Sequence, residues 1–149
     1  MHKILFICHG NICRSPMAEF LLKDMVAKRG IASQFDIASA ATSREEIGNP
    51  VHHGTRKKLA QFGISVAGKT ARQMTRRDYE NYDYIIAMDR NNLRNIDRII
   101  GRDDYNKVNK TILLSLQRLK QIPEDFRIFP GHGPAATLGD QRRYNPYLR

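Results

Sequence analysis

The sequence predicts an α/β fold built on a small parallel sheet, and three features predict it. A short β-branched and aromatic run, Lys3-Ile-Leu-Phe-Ile-Cys8, stands near the N-terminus and precedes a helix-period stretch. A second such run, Tyr82–Met88, is again followed by one, Asp89–Ile100. Strands separated by helical stretches imply right-handed βαβ crossovers rather than hairpins. Length sets the scale: 149 residues with 41% hydrophobic composition suffice for one domain around one core.

Taken in order, Lys3–Cys8 has the unbroken apolar character of a strand buried on both faces. His9-Gly10-Asn11 is a turn signal. Ser15-Pro16 reads as a helix start, with Ser15 as cap and Glu19 close behind. Met17, Phe20, Leu21, Met25 and Val26 then recur at helical spacing, and Arg29-Gly30 ends the helix. Phe35–Ala38 is a weaker second strand, Ser43–Pro50 a polar loop, and Pro50 through Phe62 a helix closed by Gly63. The Asp89–Ile100 helix carries Leu93, Ile96, Ile99 and Ile100 as its apolar positions. Ile112–Leu116 fits a last strand, although Ile112, Leu113, Leu116 and Leu119 also fit one helical face. From Pro130 the chain turns Gly/Pro-rich, with no internal repeat or low-complexity segment anywhere.

Charge narrows the function classes. With 25 Lys+Arg against 15 Asp+Glu the chain carries +10, which suits nucleic acid or an acidic, phosphate-bearing substrate. The basic residues are spread along the chain without a helix-turn-helix or stacking aromatics, so the reading is no nucleic acid. The only cysteines, Cys8 and Cys13, exclude a disulfide scaffold. No apolar run is long enough for a membrane span or a signal-peptide core, which makes a cytoplasmic protein with no membrane partner the expectation.

The chemistry concentrates in Cys8-His-Gly-Asn-Ile-Cys-Arg14-Ser15-Pro16. A loop between a strand and a helix N-terminus aims several backbone N–H groups at one point, where the helix dipole favours an anion. Gly10 is expected to let the loop turn without a Cβ clash. Arg14 can offer two parallel N–H bonds to phosphate oxygens. A thiol at a helix N-terminus beside arginine titrates in a range of roughly 3.5–7.5 instead of about 8.5. Cys8 is then a thiolate facing bound phosphate, and Ser15 is placed to donate its hydroxyl to the sulfur.

These residues resemble, position for position, the phosphate-binding loop of the low-molecular-weight protein tyrosine phosphatases. The likeness continues through Ser39-Ala-Ala41, Gly48-Asn-Pro50, Ala71-Arg-Gln73, Asp78-Tyr79 and Ala87-Met-Asp-Arg-Asn-Asn-Leu93, and covers about residues 1–107. It implies a three-layer α/β fold with a four-stranded parallel sheet flanked by helices. It also implies a cysteinyl-phosphate intermediate with no metal and no cofactor. Cys8 and Arg14 become catalytic, while His9, Gly10, Asn11, Ile12, Cys13 and Ser15 bind the phosphate of a phosphotyrosine protein or small aryl phosphate. Inorganic phosphate or sulfate would occupy the same loop. Cys13 either forms a reversible disulfide with Cys8 or packs under the loop. Arsenate reduction, found in relatives, needs relay cysteines that do not occur after Cys13.

Three departures follow. Phenolate leaves poorly without a proton, and the family's acid sits in an Asp-Pro-aromatic loop that this chain lacks. Pro123-Glu-Asp-Phe126 is the nearest match, giving Asp125 as the acid and Glu124 as fallback; without an acid the chain would be a phosphopeptide-binding module. The substrate-recognition loop Thr42–Asn49 carries Arg44-Glu45-Glu46 in place of an aromatic, and Lys69 falls where some relatives brace the loop with histidine. His52 and His53 read as surface residues at a helix start rather than ligands. The tail from about residue 108, with Phe129-Pro-Gly-His-Gly-Pro134, resembles the end of glyoxalase-type metallo-β-lactamase-fold hydrolases. His132 alone cannot hold a catalytic metal, so the metal expectation stays none.

Overall fold

The computed structural model describes residues 1–101 together with the backbone of Arg127–Ile128 and Ala136–Thr137. The chain gathers into two compact units, Met1–Tyr105 and Asn106–Arg149. The first holds β1 (His2–Cys8), α1 (Arg14–Lys28), a 3-10 turn at Ala32–Gln34, β2 (Phe35–Ala41), α2 (His53–Ala60), α3 (Arg76–Asn81), β3 (Tyr84–Ala87) and α4 (Arg90–Ile100). In the second, β4 (Arg127–Ile128) pairs antiparallel with β5 (Ala136–Thr137).

The sheet of the first unit is parallel, in the order β2-β1-β3. Cys8 stands opposite Ala41 on one side, and Ile7 opposite Ala87 on the other. Four strands were expected, and the described residues supply three. The candidate for the fourth, Ile112–Leu116, lies outside them, as do the apolar face through Leu119 and all of the Gly/Pro-rich tail but Ala136–Thr137. Strand order reverses at β1, because the chain leaves it towards β2 and returns on its far side as β3. In open α/β sheets such a switch point opens a crevice beyond the strand's carboxyl end. Here that end is Cys8.

Residue alternation on the strands explains the core. Phe6 and Ile37 pack with Val26 of α1, and Ile4, Phe35, Ile86 and Leu22 are among the residues packed against them. Leu5, Ile7 and Ile85 alternate to the opposite face and are buried there. Val51, Leu59 and Val66 pack on Met17, Phe20 and Leu21, which fastens α2 to a second face of α1. The C-terminus of α1 closes as its sequence suggests: Gly30 takes φ 69° while Ile31 N–H reaches the Val26 carbonyl at 3.0 Å.

Several boundaries differ from expectation. The weak strand at Phe35–Ala38 runs on to Ala41, drawn by its full pairing with β1. The helix expected from Pro50 begins at His53, because Pro50 bridges Thr70 in an antiparallel pair. The α1 helix begins at Arg14 after a Cys13 cap, so Ser15 lies inside its first turn and does not cap it. Its hydroxyl is used elsewhere.

No periodicity announced α3, a helix of six residues. It is held by a capping box between Thr75 and Asp78, and Asp78 also accepts two bonds from the Arg72 guanidinium, at 2.8 and 3.0 Å. Burial alone would push the Asp78 carboxyl up, but the Arg72 and Thr75 hydrogen bonds outweigh it and hold it below the usual range. A depressed carboxyl stabilises the fold above its unfolded pKa and loses that contribution as pH falls through the folded value. Asp78→Asn is therefore expected to cost about 1–2 kcal/mol in urea unfolding at pH 7. The deficit should shrink towards zero below about pH 4.

Candidate active site

Seven residues carry the chain from Cys8 at the end of β1 to Arg14 at the start of α1. Cys8 is buried, with its sulfur 3.0 Å from Ser15 Oγ and 3.3 Å from the Asn11 backbone N–H, which donates to it. Two strand-like bonds extend the sheet into the loop: Thr42 N–H to the Cys8 carbonyl at 2.9 Å and Ser43 N–H to the His9 carbonyl at 3.0 Å.

The turn is made at Asn11, not at Gly10. Asn11 is the one non-glycine residue with positive φ among those described, at 56°. Asparagine tolerates that region when its side chain is hydrogen-bonded, and here it is bonded throughout. Oδ1 accepts from Arg72 N–H at 3.2 Å, while Nδ2 donates to Ser15 Oγ at 2.9 Å and to Ser39 Oγ at 2.7 Å. Gly10 serves another purpose. A Cβ there would stand 3.2 Å from Glu46 Cγ, so the missing side chain admits the 43–48 turn against the loop.

Following the protons gives the network a direction. Ser39 donates to Glu19 Oε2 at 2.5 Å, so it can only accept from Asn11. Ser15 accepts from Asn11, which leaves its own proton for Cys8. Glu19 is buried beneath the loop, where Lys69 Nζ lies 2.9 Å from Oε2 and Lys23 Nζ 2.5 Å from Oε1. Desolvation pushes the Glu19 carboxyl up, but bonds from Lys23, Ser39 and Lys69 and the Lys69 charge outweigh it and hold it below the usual range. Lys69 also donates to the Ser39 carbonyl at 3.1 Å. The lysine at the position expected to brace the loop does brace it, through Glu19 and Ser39.

Arg14 extends its guanidinium to Asp89, Nη1 to Oδ2 at 2.7 Å. Asp89 is itself the cap of α4, in a capping box with Asn92. Burial opposes ionisation of Asp89, and the Arg14 and Asn92 bonds overcome it. The other Arg14 donors remain for an anion in the loop. Around the rim, His9 Nε2 lies 3.0 Å from Glu45 Oε2. Ile12 accepts from His52 N–H at 2.7 Å. Cys13 is a free thiol and exposed, not packed under the loop, with the Thr55 hydroxyl 3.2 Å from its sulfur. His52 and His53 are exposed at the start of α2, with His52 accepting from Gly54 N–H.

The structure thus brings together Cys8, His9, Gly10, Asn11, Ile12, Cys13, Arg14 and Ser15, while Asp125, Glu124 and His132 lie outside the described residues. Sequence reasoning assigned no role to Glu19 beneath the loop, to the Arg72 amide or to Asp89. Helical spacing gave a signal for Glu19, which lies one turn after Ser15 and one before Lys23.

The family model for low molecular weight phosphotyrosine protein phosphatase matches residues 3–118, running past residue 107 where the sequence likeness was expected to end. A Bacillus subtilis relative, low molecular weight protein-tyrosine-phosphatase YfkJ, is 40% identical over 127 residues, 85% of this chain and 81% of the relative. The human low molecular weight phosphotyrosine protein phosphatase is 38% identical over 119 residues, 80% of this chain and 75% of that one. The crystal structure of YfkJ superposes with a TM-score of 0.69 at 42% identity, over 78% of this chain and 72% of its own.

Removing the brace tests the network. Lys69→Met leaves the buried Glu19 with one cation and is expected to lower stability by about 2–4 kcal/mol in urea unfolding. It should also slow iodoacetamide alkylation of Cys8 at neutral pH, whereas Lys69→Arg should preserve most of both.

Proposed function

The chain belongs to the low molecular weight phosphotyrosine protein phosphatase family, and from that membership we propose how its residues hydrolyse a phosphotyrosine monoester. Cys8 attacks phosphorus in line, the P–O bond to tyrosine breaks, and a cysteinyl phosphate forms. The observation that carries this assignment is the pair of hydrogen bonds on the Cys8 sulfur, from the Asn11 amide at 3.3 Å and with the Ser15 hydroxyl at 3.0 Å. The Asn11 donor holds the sulfur at the mouth of the loop, and the Ser15 hydroxyl, as donor, eases departure of the sulfur in the second step.

Arg14 and the amides of residues 9–14, apart from the Asn11 amide that donates to the Cys8 sulfur, bind the equatorial oxygens, where preorganised charge supplies most of the rate gain. Asp89 supports Arg14 by fixing one of its nitrogens, so the guanidinium needs little reorganisation when phosphate arrives. Asp125 protonates the departing tyrosine oxygen and then takes a proton from the water that attacks the cysteinyl phosphate. Glu124 is the fallback for this role. The products are tyrosine and inorganic phosphate, and no oxidant or metal enters the balance. The protein substrate carries phosphotyrosine, small aryl phosphates being simpler substitutes. Residues from about 108 onward are read as an atypical tail of this phosphatase. No helix among the described residues is long and apolar enough to cross a membrane.

Two variants test the roles. Cys8→Ser is expected to reduce phosphate release to background, and undiminished turnover would remove Cys8 from the mechanism. Asp125→Asn is expected to lower kcat about 10²-fold on phosphotyrosine peptide. The loss should be far smaller on p-nitrophenyl phosphate, whose better leaving group needs less proton assistance. Equal losses on both would move the acid elsewhere.

A further inference from the structure

The excess of positive charge is not evenly distributed. Between Glu46 and Asp78 the chain carries seven Lys or Arg residues and no Asp or Glu. Three of the seven have carboxylate partners: Lys69 pairs with Glu19, Arg72 with Asp78, and Arg76 with Glu80. Three of the others, Arg56, Lys57 and Lys58, are consecutive on α2, all exposed, and no ion pair among the described residues engages them.

Packing decides where this charge faces. Thr55 and Leu59 form the buried side of α2, so its cations lie on the outer face. The first turn of α2 is tied directly to the phosphate loop, through His52 N–H to the Ile12 carbonyl at 2.7 Å and Thr55 Oγ1 to Cys13 Sγ at 3.2 Å. His53, Arg56 and Lys57 fall three and four residues apart, on one strip within about one helical turn of that junction. The opposite end of the loop differs, since His9 there meets Glu45 and Gly10 meets Glu46. A bound phosphotyrosine would thus have an unneutralised cationic surface on the side of residues 12–13, whereas carboxylates line the side of residues 9–10.

We propose that the outer face of α2, centred on Arg56 and Lys57, is a docking surface for acidic residues flanking the phosphotyrosine of a protein substrate. The inference rests on the catalytic reading of the loop and names the substrate class: phosphotyrosine sites set among Asp and Glu. A peptide carboxylate near either cation gains the modest, salt-sensitive attraction of an exposed ion pair, and the phosphate in the loop supplies the anchoring affinity. Selectivity therefore appears in kcat/KM, mainly through KM.

The experiment compares two phosphotyrosine peptides, one flanked by Asp and Glu and one by Asn and Gln, at low salt. Wild type is expected to favour the acidic peptide by about three- to tenfold in kcat/KM, and the preference should shrink at high salt. Arg56→Gln/Lys57→Gln should bring the two peptides within about twofold while leaving p-nitrophenyl phosphate turnover unchanged. A control, Lys3→Gln/Lys28→Gln, removes the same charge at the far ends of β1 and α1, about 17–22 Å along those elements from the loop. It should keep the preference. No preference in wild type, or an equal loss in the control, would overturn the surface and leave only the general field of the protein. Failure of wild type to turn over p-nitrophenyl phosphate would instead overturn the catalytic reading, and this inference with it.

Discussion

The side-chain amide of Asn11 is the tie on which the rest of the first unit's site depends. It is fully buried in a left-handed turn, and every polar atom of its side chain is used. Its oxygen accepts from the segment after Thr70, and its nitrogen donates to a helix residue, Ser15, and a strand residue, Ser39. Three parts of the chain far apart in sequence thereby converge on one group. Because a buried amide left unpaired costs about 1–3 kcal/mol, the loop cannot relax away from this geometry cheaply. The sulfur of Cys8 sits at the centre of a loop held from behind.

The charge beneath that loop is managed differently from the charge around it. Glu19 is buried and ionised because two lysines and a hydroxyl converge on it. An isolated carboxylate at that depth would be far too costly. Its role is local: an ionised acceptor at the base of the network holds the Ser39 proton and leaves Ser39 to accept from Asn11. Arg14 and Asp89 sit closer to solvent and join the start of α1 to the start of α4. That pair couples the phosphate loop to the third strand's exit, at a cap which the α4 sequence needs in any case.

Much of this was legible in advance, for local reasons. The unbroken apolar run of Lys3–Cys8 reads as a strand buried on both faces, the Tyr-Ile-Ile-Ala-Met stretch within Tyr82–Met88 reads as a second strand, and they exist as β1 and β3. The helices α1 and α4 followed from their period and their end signals. The α3 helix was not legible: six residues are too few for a period, and the capping box, Arg72 and the buried Tyr79 hold them. Ser15 was misplaced as a cap because a serine before proline satisfies the local rule, although the helix begins two residues earlier, at the Cys13 cap. The loop's turn was assigned to Gly10, since a missing Cβ is the cheaper choice locally, whereas the partners that let Asn11 take the left-handed turn come from distant segments.

What the sequence alone determined is the strand–loop–helix unit from Lys3 to Gly30, with Cys8 and Arg14 at the two ends of the loop. The signals that announce it act within a few residues: backbone propensity, apolar period and the helix N-terminus. The tertiary structure decided which groups stand behind and beside that loop. Lys69 reaches Glu19 across 50 residues, Asp89 reaches Arg14 across 75, and Arg72 reaches Asn11 across 61. Buried polar groups must be satisfied by whatever the fold brings near, and no local pattern says what that will be.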